Sequence, residues 1–381
     1  MKAKTTSRSR SRNSNRYVVI MAGGRGERFW PMSREKRPKQ LLTLLGNRSF
    51  LQQAVDRVLP LAPPERIFVI TNQAQVAAVR RQLPELPRAN IIGEPCGRDT
   101  CAAVALGGAL VAARDPDGVF AVLPADHVIP DVRRFQRVLR AAFDVASRQP
   151  VIATIGIKPT EPATGYGYIE LGEPLDGTGD DGRPGAVRFH HVRRFVEKPD
   201  LPTAQRYLKG GRHWWNAGMF VWSVSTLMQG LERHCPEVAR AAAVWAGLRG
   251  ERPLLSRLAE DYPCLTKISI DYALLEKADN VVVAEGDFGW DDLGAWPALA
   301  RHLPPDTAGN CAVGDFLHVD AAGNIVFDAR TKQRSLVAAL GVKDSIIVLT
   351  DDAVLVAAKS DAQKLKQLVA RLAEAGRHEL L

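Results

Sequence analysis

Apolar residues in this chain gather in short unbroken runs separated by longer mixed stretches. The runs at 17–22, 66–71, 90–93 and 118–123 have the length of buried strands. Residues 49–59, 74–83 and 100–113 lie between them and read as helices. Ser49 and Gln52 form a capping box for the first helix, and Thr100 is placed to cap the third. Such alternation predicts an α/β fold, a mostly parallel sheet with helices on both faces. In such sheets ligands collect at the carboxyl ends of strands. The loop after residue 22 and Leu-Pro-Ala-Asp-His at 123–127 both leave such ends, so one crevice is expected to hold both.

Beyond residue 150 the pattern mixes. Strands are expected at 151–157, 165–171, 187–197, 217–222 and 280–285, with helices near 225–249 and 268–277. Asp176 to Gly185 is rich in Gly and Asp and reads as an exposed loop. After Pro304-Pro305 the texture changes to short strands with Gly turns over 310–357, then a helix over 360–375. The division expected is a basic disordered tail at 1–16, a catalytic unit at 17–303 and a small β-rich unit at 304–381. No internal repeat of useful length stands out.

Composition changes this picture little. A 46% hydrophobic content suits a buried core, and no apolar run is long enough to span a membrane. The first 16 residues hold six Lys/Arg and no acid, so without them the formal charge of +9 becomes +3. The basicity belongs to the tail, which lacks a signal peptide's apolar stretch. No patterned basic patch with aromatics continues from it, so neither nucleic acid nor membrane is expected as a partner. Five cysteines, an odd number without Cys-x-x-Cys, indicate neither a disulfide framework nor a zinc site and suit a reduced, cytoplasmic compartment.

The chemistry starts where the first strand ends. Val18 to Ala22 stops at Gly23-Gly24-Arg25-Gly26, and Arg28, Arg34, Arg37 and Lys39 follow. Bare glycines let backbone N–H groups approach a ligand, and the cations suit a polyphosphate. The loop is not a P-loop, since no Gly-Lys-Ser/Thr follows. Phe29 stands where the dinucleotide fingerprint needs its third glycine. Asp126 follows a strand, and Asp291 and Asp292 share a glycine-flanked turn far downstream. Two carboxylates with phosphate oxygens are a normal way to hold Mg²⁺, although each Asp alone also suits a turn. Lys198, after Glu197 at another strand end, can act as a point charge on a phosphate. Gly165 with its flanking tyrosines, and Asn216 beside Trp214-Trp215, have the mixture of glycine, ring and amide that binds sugars, or that packs a core. No serine elbow or metal-spaced histidine pair occurs.

Together these stretches resemble the mannose-1-phosphate guanylyltransferases (GDP-mannose pyrophosphorylases) of the sugar-nucleotidyltransferase superfamily. The resemblance rests on GGRGERFWPMSREKRPKQ (23–40), EPCGRDT (94–100), LPADH (123–127), TGYGYI (164–169), FVEKP (195–199), WNAGMF (215–220), SIDYALLEK (269–277) and GDFGWDDLGAW (286–296), in family order. It implies a Rossmann-like mixed sheet, a small C-terminal β-rich domain, and GMP transfer from GTP to α-mannose 1-phosphate. It implies a nucleotide loop formed by Ala22, Gly23, Gly24 and Gly26. It sets Arg28 and Lys39 against the triphosphate, with Asp126 and Asp292 on Mg²⁺. Lys198 takes the sugar phosphate, and Gly165, Glu197 and Asn216 surround the sugar. Asp292 is preferred to Asp291 because the family's Asp sits two residues after the Trp. A homodimer also fits the family.

Two departures stand out. Arg98-Asp99-Thr100 replaces the family's frequent Arg-Asn-Thr, which leaves base choice less tightly defined. The chain also lacks room for the isomerase domain of bifunctional relatives, so transferase activity alone is expected. Competing readings are another sugar 1-phosphate, a non-catalytic regulatory paralogue, and a nicotinamide oxidoreductase. Retention of Arg28, Lys39, Asp126, Lys198 and Asp292 together disfavours the second, and Phe29 the third.

Overall fold

The computed structural model describes residues 15–24, 26–178, 186–332 and 335–381. The tail expected over 1–16 therefore falls outside the described residues up to 14, while Arg16 already belongs to a strand. The loop expected at 176–185 falls outside them from 179 onward.

Four strands open the fold: β1 (Arg16–Ala22), β2 (Ile67–Asn72), β3 (Ile91–Glu94) and β4 (Val119–Pro124). They pair in parallel in the order β3-β2-β1-β4. Helices α1 (Phe50–Val58), α2 (Val76–Gln82) and α3 (Asp99–Ala112) alternate with them. The capping box at Ser49 forms as read, with Gln52 N donating to Ser49 Oγ and Ser49 N to Gln52 Oε1. Thr100 does not cap α3. The helix starts one residue earlier, and Thr100 Oγ1 instead accepts from Ile270 N at 2.9 Å, stapling α3 to a distant loop. Asp99 sits at φ 62°, a left-handed conformation that Asp and Asn tolerate best. The Asp-for-Asn departure is thus conformationally neutral.

The sheet continues through β5 (Ile152–Ile157), β6 (Tyr168–Pro174), β7 (Phe189–Val196), β8 (His213–Ser223) and β9 (Val281–Gly286). Its full order is β3-β2-β1-β4-β8-β5-β9-β7-β6. β8 runs antiparallel to both β4 and β5, and β7 to β9, so the mostly parallel character belongs to the first four strands and the rest is mixed. Helix α4 (Val132–Arg148) escaped the sequence reading, although Phe135, Val138, Leu139, Ala142 and Phe143 form a regular apolar stripe and Asp131 caps it. α5 (Leu201–Gly210), capped by Asp200, escaped it as well. The single helix expected near 225–249 is two, α6 (Val224–His234) and α7 (Pro236–Gly247). Pro236 has no N–H to continue α6, but it suits the first turn of α7. α8 (Glu251–Asp261) follows, and 271–275 form a π-helical turn rather than a regular helix. One core joins α1, α2 and α4 to one sheet face, and a second joins α3, α6, α7 and α8 to the other.

After the short α9 (Trp296–Leu299) come β10 (Cys311–Val313), β11 (Phe316–Val319), β12 (Ile325–Asp328), β13 (Val337–Leu340), β14 (Ser345–Leu349) and β15 (Val354–Ala358). β10, β12 and β14 stack in parallel, as do β11 and β13, so the chain coils in rungs. Buried Asn324 ties the rungs: its Nδ2 donates to Asn310 Oδ1 at 2.9 Å and its Oδ1 accepts from Ser345 N at 3.0 Å. α10 (Leu365–Glu374) closes this β-rich domain and packs on the turn at 27–29.

A third core joins the coil to the glycine loop. Trp296 is fully buried between Phe29, at 5.2 Å between ring centroids, and Phe327, at 5.5 Å, and its Nε1 donates to the Trp30 carbonyl. Trp296→Ala is expected to cost about 3–5 kcal/mol in urea unfolding, as large buried rings do when truncated. A cost near zero would show that this joint is not held by packing.

Candidate active site

The first strand ends in a loop held from behind. Gln40 Nε2 donates to the carbonyls of Ala22 at 2.6 Å and Gly24 at 3.0 Å, and Thr71 Oγ1 also donates to Ala22. Ala22 is therefore an anchor beneath the loop. Gly26 has φ 64°, and a Cβ there would stand 2.4 Å from Lys39 Cβ. Only glycine lets the loop lie against Lys39 in this way.

Lys39 is 5% exposed. Its Nζ donates to Asp126 Oδ2 at 2.9 Å and to the Asp292 carbonyl at 2.6 Å. One ammonium thus pins the turns after β4 and after β9 to the glycine loop. Burial raises the Asp126 carboxyl, but Lys39 and His127 outweigh it and hold it below the usual range. His127 is buried and pushed down to about 4. Its Nδ1 accepts from Trp290 Nε1 at 3.0 Å, so the neutral ring carries its proton on Nε2.

The adjacent carboxylates at 291 and 292 have different surroundings. Asp291 is buried and accepts from Arg301 Nε and Nη2, His302 Nε2 and Leu293 N. Burial works against its charge, but these donors hold it at about 2. Asp292 accepts from Tyr166 Oη at 2.7 Å and borders open space. Geometry assigns Asp291 to the scaffold and leaves Asp292 facing the cavity.

Two cavities meet here. The smaller, about 400 Å³, is bordered by Gly26, Arg28, Lys39, Asp126 and Asp292. Arg28 Nε is buried there without a hydrogen-bond partner among the described residues. The larger, about 500 Å³, shares His127 and Asp292 with it and runs past Gly23 and Gly24 to Gly165, Glu197, Lys198 and Asn216. Every site residue read from the sequence except Ala22 borders one of the two.

At one end of the larger cavity lies Glu94, the last residue of β3. It is 8% exposed, and its Oε1 accepts from Tyr262 Oη at 3.1 Å. Burial pushes this carboxyl up to about 7. At the other end, Asn216 Nδ2 donates to Asp271 Oδ1 at 3.0 Å, while its Oδ1 accepts from Thr154 and Gly218. Among the described residues, one N–H of Asn216 has no partner and stays available to a ligand. Asp271 begins the π-helical turn and is pushed up to about 7 by burial and by Glu197. Lys198 pairs with Glu197 and has φ 46°. Burial lowers its ammonium, but the neighbouring carboxylates raise it above the ordinary value. Tyr166 and Trp290, which line this cavity, form an edge-to-face cluster with Trp215.

Glu94 and Asp271 carry no signal of their own in the sequence, and Tyr166 is read there only as a ring beside Gly165. Each lies inside a stretch that carried the resemblance, but no spacing rule distinguishes a cavity carboxylate from a strand-end or helix-start acid. The two carboxylates expected to hold a metal fit a hard cation by their placement. Asp126 and Asp292 face one cavity, and no cluster of three metal-ligating side chains occurs among the described residues. Two carboxylates completed by substrate phosphates and water are what Mg²⁺ favours.

Asp291→Asn is expected to lose about 2 kcal/mol at neutral pH by unpairing Arg301 and His302. A carboxyl held at about 2 contributes stability that is present above its unfolded value of about 4 and disappears as pH falls toward 2. The variant should lack that loss between about pH 4 and 2, whereas Asp292→Asn should keep it. Unfolding curves across pH check this, and identical profiles for both variants would contradict the assignment.

A nucleotidyl transferase family model matches residues 17–307, and a MannoseP isomerase/GMP-like beta-helix domain model matches 314–372. The chain is 38% identical over 366 residues to the Xanthan biosynthesis protein XanB of Xanthomonas campestris pv. campestris (strain B100), spanning 95% of this chain and 74% of that one. It is likewise 38% identical over 376 residues to mannose-1-phosphate guanylyltransferase ManC of Salmonella typhimurium, spanning 97% of this chain and 75% of that one. Among solved structures, a protein described as mannose-1-phosphate geranyltransferase from Thermus thermophilus superposes with a TM-score of 0.81. It is 35% identical, and the match covers 94% of this chain and 99% of that one.

Proposed function

This chain belongs to the nucleotidyl transferase family, among the mannose-1-phosphate guanylyltransferases, and on that premise we propose that it transfers GMP from GTP to α-D-mannose 1-phosphate, releasing pyrophosphate. The observation that carries the reading is the meeting of the two cavities at His127 and Asp292, with Asp126 beside them on the smaller one. The smaller cavity has cations for a leaving pyrophosphate, and the larger has Lys198 for the attacking phosphate.

In this reading an oxygen of the sugar phosphate attacks the α-phosphorus in line. The new P–O bond forms as the bond from the α-phosphorus to the bridging oxygen breaks, and pyrophosphate takes that electron pair. Phosphoryl transfer of this kind needs positioning and charge neutralisation more than a covalent nucleophile. Lys198 holds the attacking group, while Arg28 and Lys39 face the leaving one. Asp126 and Asp292 would hold Mg²⁺, which supplies neutralisation of the phosphate charge when bound. Gly165, Glu197 and Asn216 border the space left for the hexose. A cytoplasmic setting fits the five free cysteines. A homodimer belongs to the same proposal, supported by exposed Leu317, Val319 and Leu340 on β11 and β13.

Glu94 supports guanine as the base. Guanine presents N1–H and N2–H₂ side by side, and an ionised carboxylate accepts both. Adenine and the pyrimidines lack that donor pair. A buried acceptor built for two donors rejects a base that leaves it unpaired.

Pyrophosphate release with Mg²⁺, crossing GTP, ATP, UTP and dTTP against mannose, glucose and other sugar 1-phosphates, tests the reading. Release with GTP and mannose 1-phosphate alone is expected, and release with another pair replaces the specificity. Glu94→Gln should lower kcat/KM for GTP about 100-fold and leave ATP nearly unchanged. Because the acceptor form is the ionised one, kcat/KM for GTP should rise with pH through about 7 and level off above it. The Gln variant should lack that rise.

A further inference from the structure

The smaller cavity has a wall that the catalytic sheet does not supply. Lys366, on α10 of the C-terminal domain, borders it together with Arg28 and Lys39. We propose that Lys366 is a phosphate-contacting residue that holds the leaving pyrophosphate, so that the β-rich domain supplies part of the active site. This inference rests on the reading of the small cavity as the pyrophosphate site.

The charge balance calls for such a group. Pyrophosphate leaves with three to four negative charges. Lys39 is already committed to Asp126 and to the Asp292 carbonyl, and Asp126 and Asp292 themselves repel an anion. Among the described residues, Arg28, whose Nε has no partner and whose Nη1 reaches only the Gly294 carbonyl at 3.5 Å, and Lys366 are the cations on this cavity left to meet the phosphates. Lys364, two residues earlier, is instead paired with Asp361.

The position of Lys366 is fixed by the fold. α10 packs on the turn at 27–29 that carries Arg28. Trp30 Nε1 donates to the Leu380 carbonyl at 2.9 Å, Arg34 Nη1 donates to the same oxygen, and Arg34 pairs with Asp352 at 2.9 Å. These contacts tie the C-terminal segment, at Leu380 and Asp352, to Trp30 and Arg34 just after the glycine loop. A lysine on a helix docked this closely can meet a phosphate without a large conformational change.

Calorimetric titration of the full chain with inorganic pyrophosphate, without any metal or nucleotide, tests the idea directly. Wild type should bind it, and Lys366→Met should raise the dissociation constant about tenfold, the loss of one charge-assisted contact. Lys366→Arg should retain most of the binding, and Lys364→Met should bind as wild type does. In turnover, Lys366→Met should raise KM for pyrophosphate in the reverse direction by a similar factor and leave KM for mannose 1-phosphate unchanged. Lys366 is exposed, so its variants should melt with wild type. Equal pyrophosphate affinity in wild type and Lys366→Met, or no binding by wild type, would overturn the proposal. Wild-type turnover only with a different nucleotide and sugar would revise the specificity above and leave this result standing.

Discussion

A single buried ammonium organises this molecule. Lys39 Nζ joins the glycine loop to Asp126 after β4 and to the backbone at Asp292 after β9. These three segments are far apart in sequence, and only the sheet order brings their strand ends to one edge. Burying an ammonium is costly unless it is paired and hydrogen-bonded, and here both conditions are met. The requirement propagates outward. Gly26 must lack a side chain because Lys39 occupies the space, and Gln40 must hold the loop from behind. The Phe29 and Phe50 rings lie 5.7 and 5.8 Å from the charge and shield it from water.

Environment, not residue type, divides the acids of the site. Asp291 and Asp292 are neighbours, yet one is saturated by four donors and the other faces the cavity with a single tyrosine partner. Glu94 and Asp271 go the opposite way, both raised to about 7 by burial at the two ends of the larger cavity. Buried carboxyls with so few donors are expensive, and perturbed groups of this kind cluster where ligands bind.

What the sequence made legible follows from what is local. The strand runs, the capping box at Ser49 and the glycine loop are set by neighbours in the chain, and all appear where expected. The break between α6 and α7 is equally local at Pro236, as is the apolar stripe of α4, and both are written in the sequence. Thr100 was unreadable for a different reason: its hydroxyl serves Ile270, 170 residues away, and no local rule anticipates that partner. The choice between Asp291 and Asp292 was unreadable from spacing alone, because it depends on Arg301 and His302 folding back onto the turn. The resemblance prefers Asp292 on position after the Trp alone, and the structure adds that Asp292 is the one bordering the cavity.

The joint between the two domains is where local and distant constraints meet. Trp296 ends the segment that carries Asp292, and its ring fills the gap between Phe29, beside Arg28, and Phe327 of the coiled β-domain. A shift of the coil would therefore displace Asp292 and Arg28 together, and both border the smaller cavity. A small β-domain whose outer strands are solvent-exposed has little core of its own, and it shares its buried face with the loop it supports. The stability of the C-terminal domain and the geometry of the glycine loop are thus one packing problem, which gives a helix at the far end of the chain a fixed place on the wall of the smaller cavity.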